Sequence, residues 1–412
     1  MELTDNEQSM LAGEQGRATQ KAMQILTALG KIYGARRLIP VRSVQIAGVS
    51  YDNLGEAGLQ FLAEMASGGG KTRVFTTLNP AGMDVENWQA LGIPADFARN
   101  QERVIAAFAS MGAVTTCSCT PYLFGNLPRF GEHIAWAESS AVCYANSVLG
   151  ARTNREGGPS ALASALTGLT PAYGFHLDEN RRATLRFRVE PALVENHEYG
   201  ALGIILGRIL ERHASAPGST RPVAWIEGFE QPERQPSLEN LKSFCASLAT
   251  YGGAALFHMP GVTPEASGGT NAPSGQDTLT ITPAGLRAVL EEMSPPAAEP
   301  ADFVSLGCPH LSLPEIARIA ALLEGRKVQR EFWITTARPT KQLADRAGYT
   351  QIIEAAGARF AADTCCVVAP IARRFQTLVT DSAKACYYGS AKNKFRTILK
   401  SFDEVVAEAL RP

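Results

Sequence analysis

Apolar residues near the start of the chain fall at helical spacing, at Ala22, Ile25, Leu26, Leu29 and Ile32, with polar residues between them. This pattern predicts one amphipathic helix within Glu2 to Ala35. Val41 to Val49 then reads as a strand, and the segment that follows turns into a second helix from Ala57 to Met65. Gly68-Gly-Gly70 is the expected stop for that helix, because glycine readily takes the left-handed turn that ends one. A strand is predicted at Thr72 to Thr77, and the chain closes on a predicted helix from Phe402 to Leu410.

Strand, turn and helix signals alternate in this way throughout. The pattern points to an α/β protein with mixed or parallel sheets flanked by helices, not to a sandwich or a bundle. A chain of 412 residues is long enough for two or three domains, each with its own core. Between Met259 and Ala301 the composition shifts to Pro, Gly, Ser and Thr, notably over 264–275 and 294–300, which predicts loops around a short helix and a domain boundary. The expected regions are therefore 1–160, with substrate-binding loops, 161–300, and 301–412.

Composition narrows the function class. Hydrophobic residues make up 45% and charged residues 19%, and a net charge of -1 offers no general attraction for nucleic acid. The longest apolar stretches, such as Ala201-Leu-Gly-Ile-Ile-Leu206, are too short to span a membrane. Eight cysteines without disulfide-like spacing, and no hydrophobic leader, predict a reduced, cytoplasmic protein.

Three late cysteines carry the strongest chemical signal: Cys308 in Gly307-Cys-Pro-His310, Cys365 in Asp363-Thr-Cys-Cys366, and Cys386 in Asp381-Ser-Ala-Lys-Ala-Cys386. Each follows or abuts a short apolar run that reads as a buried strand, so the thiols can meet where α/β sheets place ligands, at the carboxyl ends of strands. Three thiolates do not close a four-cysteine site, which favours an iron-sulfur cluster with one iron open to substrate. Ordinary buried cysteines are the competing reading, since no C-x-x-C pair anchors the set.

Gly68-Gly-Gly-Lys71 lacks the leading glycine of a phosphate loop, with Met65 in its place, but still offers N–H groups and a cation to a small anion. Asn79, held extended by Pro80, is placed to aim its amide into a cleft beyond a strand. Arg152-Thr-Asn-Arg-Glu-Gly-Gly158 supplies donors for a carboxylate or phosphate. The six histidines form no metal-like pair, although His258 and His310 end strand-like runs.

Taken in order, Ser50-Tyr-Asp-Asn-Leu-Gly-Glu56, Gly69-Gly-Lys-Thr72, Thr76-Thr-Leu-Asn-Pro80, Cys119-Thr-Pro-Tyr122, Gly131-Glu-His-Ile-Ala-Trp-Ala-Glu-Ser-Ser140, Arg152 to Gly158, Gly307 to His310 and Asp381-Ser-Ala-Lys384 resemble the aconitase X family, a divergent branch of the aconitase superfamily. The resemblance covers nearly the whole chain. It implies an aconitase-like multi-domain α/β architecture and an iron-sulfur-dependent lyase that removes water from a small hydroxy acid without adding it back. Two family activities are known, on cis-3-hydroxy-L-proline and on mevalonate 5-phosphate.

The resemblance also implies Cys308, Cys365 and Cys386 as cluster ligands, with the number of irons open and Cys366 as the neighbour of Cys365 on the opposite face. Ser50, Tyr51, Lys71 and Cys119 are the implied catalytic residues. Asn79, Thr120, Glu138, Ser139, Arg152, Asn154, Arg155 and Glu156 are implied at the substrate, where Lys71, Asn79, Arg152 and Arg155 would hold its anion. Either Glu138 or Glu156 would meet the ring ammonium of an amino-acid substrate. Lys384 reads as a donor that tunes the cluster or as a salt-bridged surface lysine.

Family members carry a small swivelling domain, fused or separate, whose serine-rich loop looks like the source of the catalytic base. No such domain is read in this sequence, so the expected partner is a separate small subunit. The near-neutral composition lacks the Lys and Glu enrichment of hyperthermophilic proteins, and the mevalonate phosphate activity belongs mainly to archaea. On that ground the expected reaction is dehydration of cis-3-hydroxy-L-proline to pyrroline-2-carboxylate, with mevalonate 5-phosphate as the alternative. Readings of other classes are a hydrolase or transferase with Cys119 or Cys143 as nucleophile and His133 or His176 as base, and a non-catalytic scaffold.

Overall fold

The alternating signals resolve into three parallel sheets flanked by helices, in a computed structural model that describes residues 1–214, 222–273, 277–295 and 301–412. In the first region β1 (Leu38–Pro40), β2 (Ser43–Ile46), β3 (Phe75–Leu78), β4 (Ala135–Trp136) and β5 (Leu169–Pro171) appear in chain order. The three-stranded sheet has the order β3-β2-β4, all parallel, while β1 and β5 pair antiparallel beside it. Met23 and Leu26 of one helix meet Leu162 and Leu166 of another over Val44, Ile46 and Leu78 of the sheet.

The second region holds β6 (Leu185–Val189), β7 (Ala224–Glu227), β8 (Phe257–His258) and β9 (Thr278–Ile281) in the order β8-β7-β6-β9, again all parallel. Its two long helices, Asn196–His213 and Leu238–Gly252, touch backbone to backbone. A Cβ on Gly252 would stand 2.7 Å from Gly207 Cα, so only glycine permits this approach. In the third region β10 (Phe303–Leu311), β11 (Glu331–Thr336), β12 (Arg359–Ala362), β13 (Thr377–Thr380) and β14 (Arg396–Leu399) form a parallel sheet of order β12-β11-β10-β13-β14.

Local differences from the sequence reading have local causes. The first predicted helix is two, Asp5–Ala12 and Arg17–Ile32, because Gly13 and Gly16 take φ of 91° and 97° and break the helical run. The second helix starts at Tyr51, bends where Gly55 has φ 60°, and ends at Ser67 with Gly68 as its cap. The strand predicted from Thr72 begins at Phe75, since Thr72 N–H bonds Met111 outside any ladder. The last helix, Phe402–Leu410, is as expected. Helix Gly158–Thr167 and β5 pack on the first region, which therefore extends past residue 160. In the Pro/Gly-rich stretches, Pro264–Gly269 forms a short 3-10 segment and Pro283–Met293 a helix, while 274–276 and 296–300 lie outside the described residues. Among the described residues no helix is long and apolar enough to cross a membrane.

Candidate active site

Because the first and third sheets are parallel, their carboxyl ends deliver loops to one place. After β2 come Gly48 to Ser50, and after β3 come Asn79 to Gly82. Gln101 ties the two loops together, donating to the Val49 carbonyl at 2.9 Å and accepting from the N–H of Tyr51 and Gly82. Gly82 has no room for a side chain, since a Cβ there would lie 2.5 Å from Ser50 Oγ. Arg338, after β11, pairs with Asp84 beyond β3 and with Asp363 beyond β12, and Ala81 N–H bonds the Asp363 carbonyl at 2.8 Å. The Asn79 loop and the Cys365 loop are thereby locked edge to edge.

Three thiols meet at this junction. Cys308 stands where β10 slips register, after Gly307 with φ 108°; a Cβ on Gly307 would fall 2.1 Å from the Thr335 carbonyl oxygen. Cys365 lies three residues past β12. Cys119 follows Ser118, whose N–H bonds the Leu78 carbonyl at the end of β3, and its sulfur accepts the His310 N–H at 3.3 Å. Burial pushes all three thiols up, Cys119 to about 12, with neighbouring thiols adding to the rise at Cys119 and Cys308 and Lys384 opposing it at all three.

Lys384, on the helix Ala383–Ala391, donates to Glu138 at 2.5 Å beside these thiols. Glu138 caps the helix Ser139–Ser147, accepting from Ala141 N–H at 2.6 Å and from the Ser139 and Ser140 hydroxyls. Burial works against its charge, but Lys384 and these donors outweigh it and hold the carboxylate below its ordinary range. His310 is neutral, since burial lowers it to about 4; its ring meets Ser118 and Thr364.

The structure brings together Cys308 and Cys365 of the expected ligand set and adds Cys119 to them, whereas Cys386, on its helix, has Cys366 as its neighbouring thiol and not Cys308 or Cys119. The Cys386 thiol bonds Thr397 and has Asp381 as its charged neighbour. Cys366 turns away to Ser305. Ser50 donates to the Val368 carbonyl at 3.1 Å, and Thr120 and Ser139 are buried beside Cys119 and Glu138. Tyr51 lies further out, with its hydroxyl toward Glu56.

Lys71 is elsewhere. It precedes β3, on the amino side of the sheet, is exposed, and donates to the Ser110 carbonyl at 2.7 Å. Arg152 is likewise at the amino end of β4, paired with Asp178, and Asn154 is used up in holding the 173–175 turn through Tyr173 O and Phe175 N–H. Arg155 and Glu156 run on to the carboxyl end of β4, where Glu156 N–H bonds Trp136 O. Arg155 is exposed and has no side-chain partner among the described residues. Glu156 is buried against the Ser160 and Thr170 hydroxyls, and burial raises its pKa.

A carboxyl group raised in the fold stabilises it below its unfolded pKa and loses that contribution as pH climbs through the folded value. Glu156→Gln is therefore expected to remove a loss of stability that sets in as pH rises above the ordinary carboxylate value toward the raised folded one. Melting curves of the variant and wild type should diverge toward neutral pH, the variant being the more stable; parallel curves would contradict this.

The cysteine-nucleophile arrangement is not formed. His133 and His176 bond each other at 3.0 Å near Arg152, and Cys143 lies fully buried against Cys245. The three converging thiols are soft donors suited to an iron-sulfur cluster. Two buried polar atoms beside them, Asn79 Oδ1 and Thr364 Oγ1, lack any partner within the chain. The donor set therefore fits a cluster with room for a polar ligand.

Family models described as the aconitase X first, second and third domains match residues 1–179, 183–291 and 301–411. The phosphomevalonate dehydratase large subunit of Methanothermobacter thermautotrophicus is 46% identical over 94% of this chain and 93% of its own. The cis-3-hydroxy-L-proline dehydratase of Pseudomonas aeruginosa is 38% identical over 93% of this chain, but this chain spans 65% of that protein. A crystal structure described as aconitase X of Thermococcus kodakaraensis in its holo form superposes with TM-score 0.89 and 42% identity, covering 99% of this chain and 100% of that one.

Proposed function

We propose, on the premise that the chain belongs to the aconitase X family and is a hydro-lyase, that it is the large subunit of a dehydratase acting on mevalonate 5-phosphate. The composition argument for cis-3-hydroxy-L-proline gives way to two findings. Relatives named as phosphomevalonate dehydratase large subunits match this chain from end to end at 42% to 46% identity in four cases, whereas the hydroxyproline enzymes are matched over only 65% of their length. The second finding is physical and carries the reading. An amino-acid substrate needs a free carboxylate for its ammonium, yet Glu138 is paired with Lys384 and Glu156 is bound to two hydroxyls with its charge disfavoured by burial. The unpartnered cation Arg155 favours a substrate with a phosphate instead.

Loss of water from a 3-hydroxy acid takes a proton from carbon 2 and hydroxide from carbon 3, leaving the 2,3-unsaturated acid. Cys119, Cys308 and Cys365 would hold the cluster, which when bound supplies a Lewis-acid position for the hydroxyl. Lys384 keeps its proton, because Glu138 and the neighbouring thiols more than offset the cost of burial, and so meets the negative charge that develops on the substrate carboxylate. Asn79 offers its amide from the end of β3. The two candidate carboxylates, Glu138 and Glu156, are engaged, so the base that takes the carbon 2 proton is assigned to a separate small subunit, as the relatives' designation as large subunits suggests.

The test is a side-by-side assay, without oxygen, of the chain co-expressed with its small subunit. Mevalonate 5-phosphate should be dehydrated with kcat/KM at least about a hundredfold above that for cis-3-hydroxy-L-proline, the contrast expected when buried polar groups are left unmatched. The reverse order would sink the assignment. Arg155→Ala is expected to raise KM for the phosphorylated substrate about 10- to 100-fold, the loss of one charge-assisted hydrogen bond, with kcat little changed.

A further inference from the structure

We infer that His310 is a positioning residue that holds the three thiol-bearing segments in register, an inference that rests on reading Cys119, Cys308 and Cys365 as cluster ligands. The residue is fully buried and follows Cys308 by two positions. Its Nε2 lies 2.9 Å from the Thr364 carbonyl, one residue before Cys365. A carbonyl only accepts, so Nε2 carries the proton and Nδ1 is left as an acceptor. The Ser118 hydroxyl, one residue before Cys119, lies 3.2 Å from Nδ1 and donates to it. The backbone N–H of His310 donates to the Cys119 sulfur itself at 3.3 Å.

One side chain and its own peptide thus touch every segment that bears a converging thiol. These segments lie 54 and 192 residues from His310 along the chain, so no local turn can set their spacing. The far side of the residue is fixed too: Lys242 Nζ donates to the His310 carbonyl at 3.0 Å and is paired with Glu315. Ser118 in turn accepts from Thr120 N–H at 3.2 Å, which extends the brace to the residue after Cys119. A histidine that was only satisfied core would need any two partners. Here the partners of the ring are the immediate neighbours of two ligands, the arrangement by which outer groups orient ligands.

The test reads the thiols of the cluster-free full chain, so it does not depend on the cluster. Alkylation by iodoacetamide is followed at each cysteine by mass spectrometry in wild type, His310→Ala, His310→Gln and Ser118→Ala. His310→Ala should speed modification of Cys119, Cys308 and Cys365 together by about tenfold or more, while Cys143 and Cys245 in the middle core keep their wild-type rates. His310→Gln retains an amide donor for Thr364 and should restore part of the protection. Ser118→Ala removes the Nδ1 contact together with the Thr120 contacts but leaves the Thr364 bond, and should free Cys119 but not Cys365, which keeps the inference testable if His310→Ala does not fold. Unchanged rates at the three thiols, or an equal rise at Cys143 and Cys245, would overturn it. If the rates respond as expected yet wild type takes up no iron and sulfide on reconstitution, it is the cluster reading that fails and the brace that stands.

Discussion

Cys119→Ser is expected to abolish the visible absorption of protein reconstituted with iron and sulfide and to lower dehydration about a thousandfold, whereas Cys386→Ser leaves both near wild type. The size follows from a Lewis-acid contribution of several kcal/mol, with each factor of ten worth about 1.4 kcal/mol. The contrast follows from position. Cys119 shares its surroundings with Cys308, Cys365 and Lys384, while Cys386 faces Thr397 from a helix and contacts neither Cys308 nor Cys119. Cys308→Ser and Cys365→Ser should behave like Cys119→Ser. Iron and sulfide content, absorption and turnover measured on the four variants decide the ligand set. Bleaching by Cys386→Ser with colour retained in Cys119→Ser would return the assignment to the set expected from the sequence.

Lys384→Met is expected to cost about 3–5 kcal/mol of stability and nearly all activity, because it leaves the Glu138 carboxylate buried without its counter-ion. Glu138 is 4% exposed and Lys384 11%, so solvent does little to soften the loss. Adding Glu138→Gln should recover much of the stability, since the orphaned charge disappears, but should not recover turnover, since the donor to the substrate is still missing. Denaturant melts and single-turnover assays on the two single variants and the double variant separate these effects. Recovery of turnover in the double variant would show that Lys384 serves only the fold. The sign with pH is set by Glu138. Its folded pKa is lowered, so its contribution is present above the unfolded carboxylate value and fades as pH falls through the folded one. The stability gap between wild type and Lys384→Met should accordingly narrow in acid.

The two substrate arguments had different kinds of support. A composition without Lys and Glu enrichment speaks only to growth temperature and says nothing about what a pocket binds. Whether a carboxylate is free to meet an ammonium is a question of hydrogen-bond partners. Glu138 is engaged by Lys384, 246 positions away, and Glu156 by Thr170, 14 positions away, and neither of these partners has a signature in the residue's own neighbourhood.

Much that is local was readable from the chain itself. Glycines at 68–70 end a helix, apolar runs before Cys308 and Cys365 are strands, and the alternation of periods is the parallel α/β fold. These follow from backbone preference and from burial on one face, which act over a few residues. Of the residues in the ordered motifs, the fold gathers Cys119, Glu138 and Lys384 at one junction. What the sequence left undecided was which members of those motifs face one another. Lys71 and Asn79 are separated by one short strand, yet the strand's direction sends Lys71 to the amino side and Asn79 to the site. Cys386 and Lys384 share one helix, yet its orientation turns the lysine toward Cys308 and the thiol toward Thr397. Arg338 with Asp84 and Asp363, and His310 with Ser118 and Thr364, form only when sheets distant in sequence close on one another. Chain propensities fix each segment; the docking of three separate sheets, driven by burial of their shared faces, decides which side chains converge.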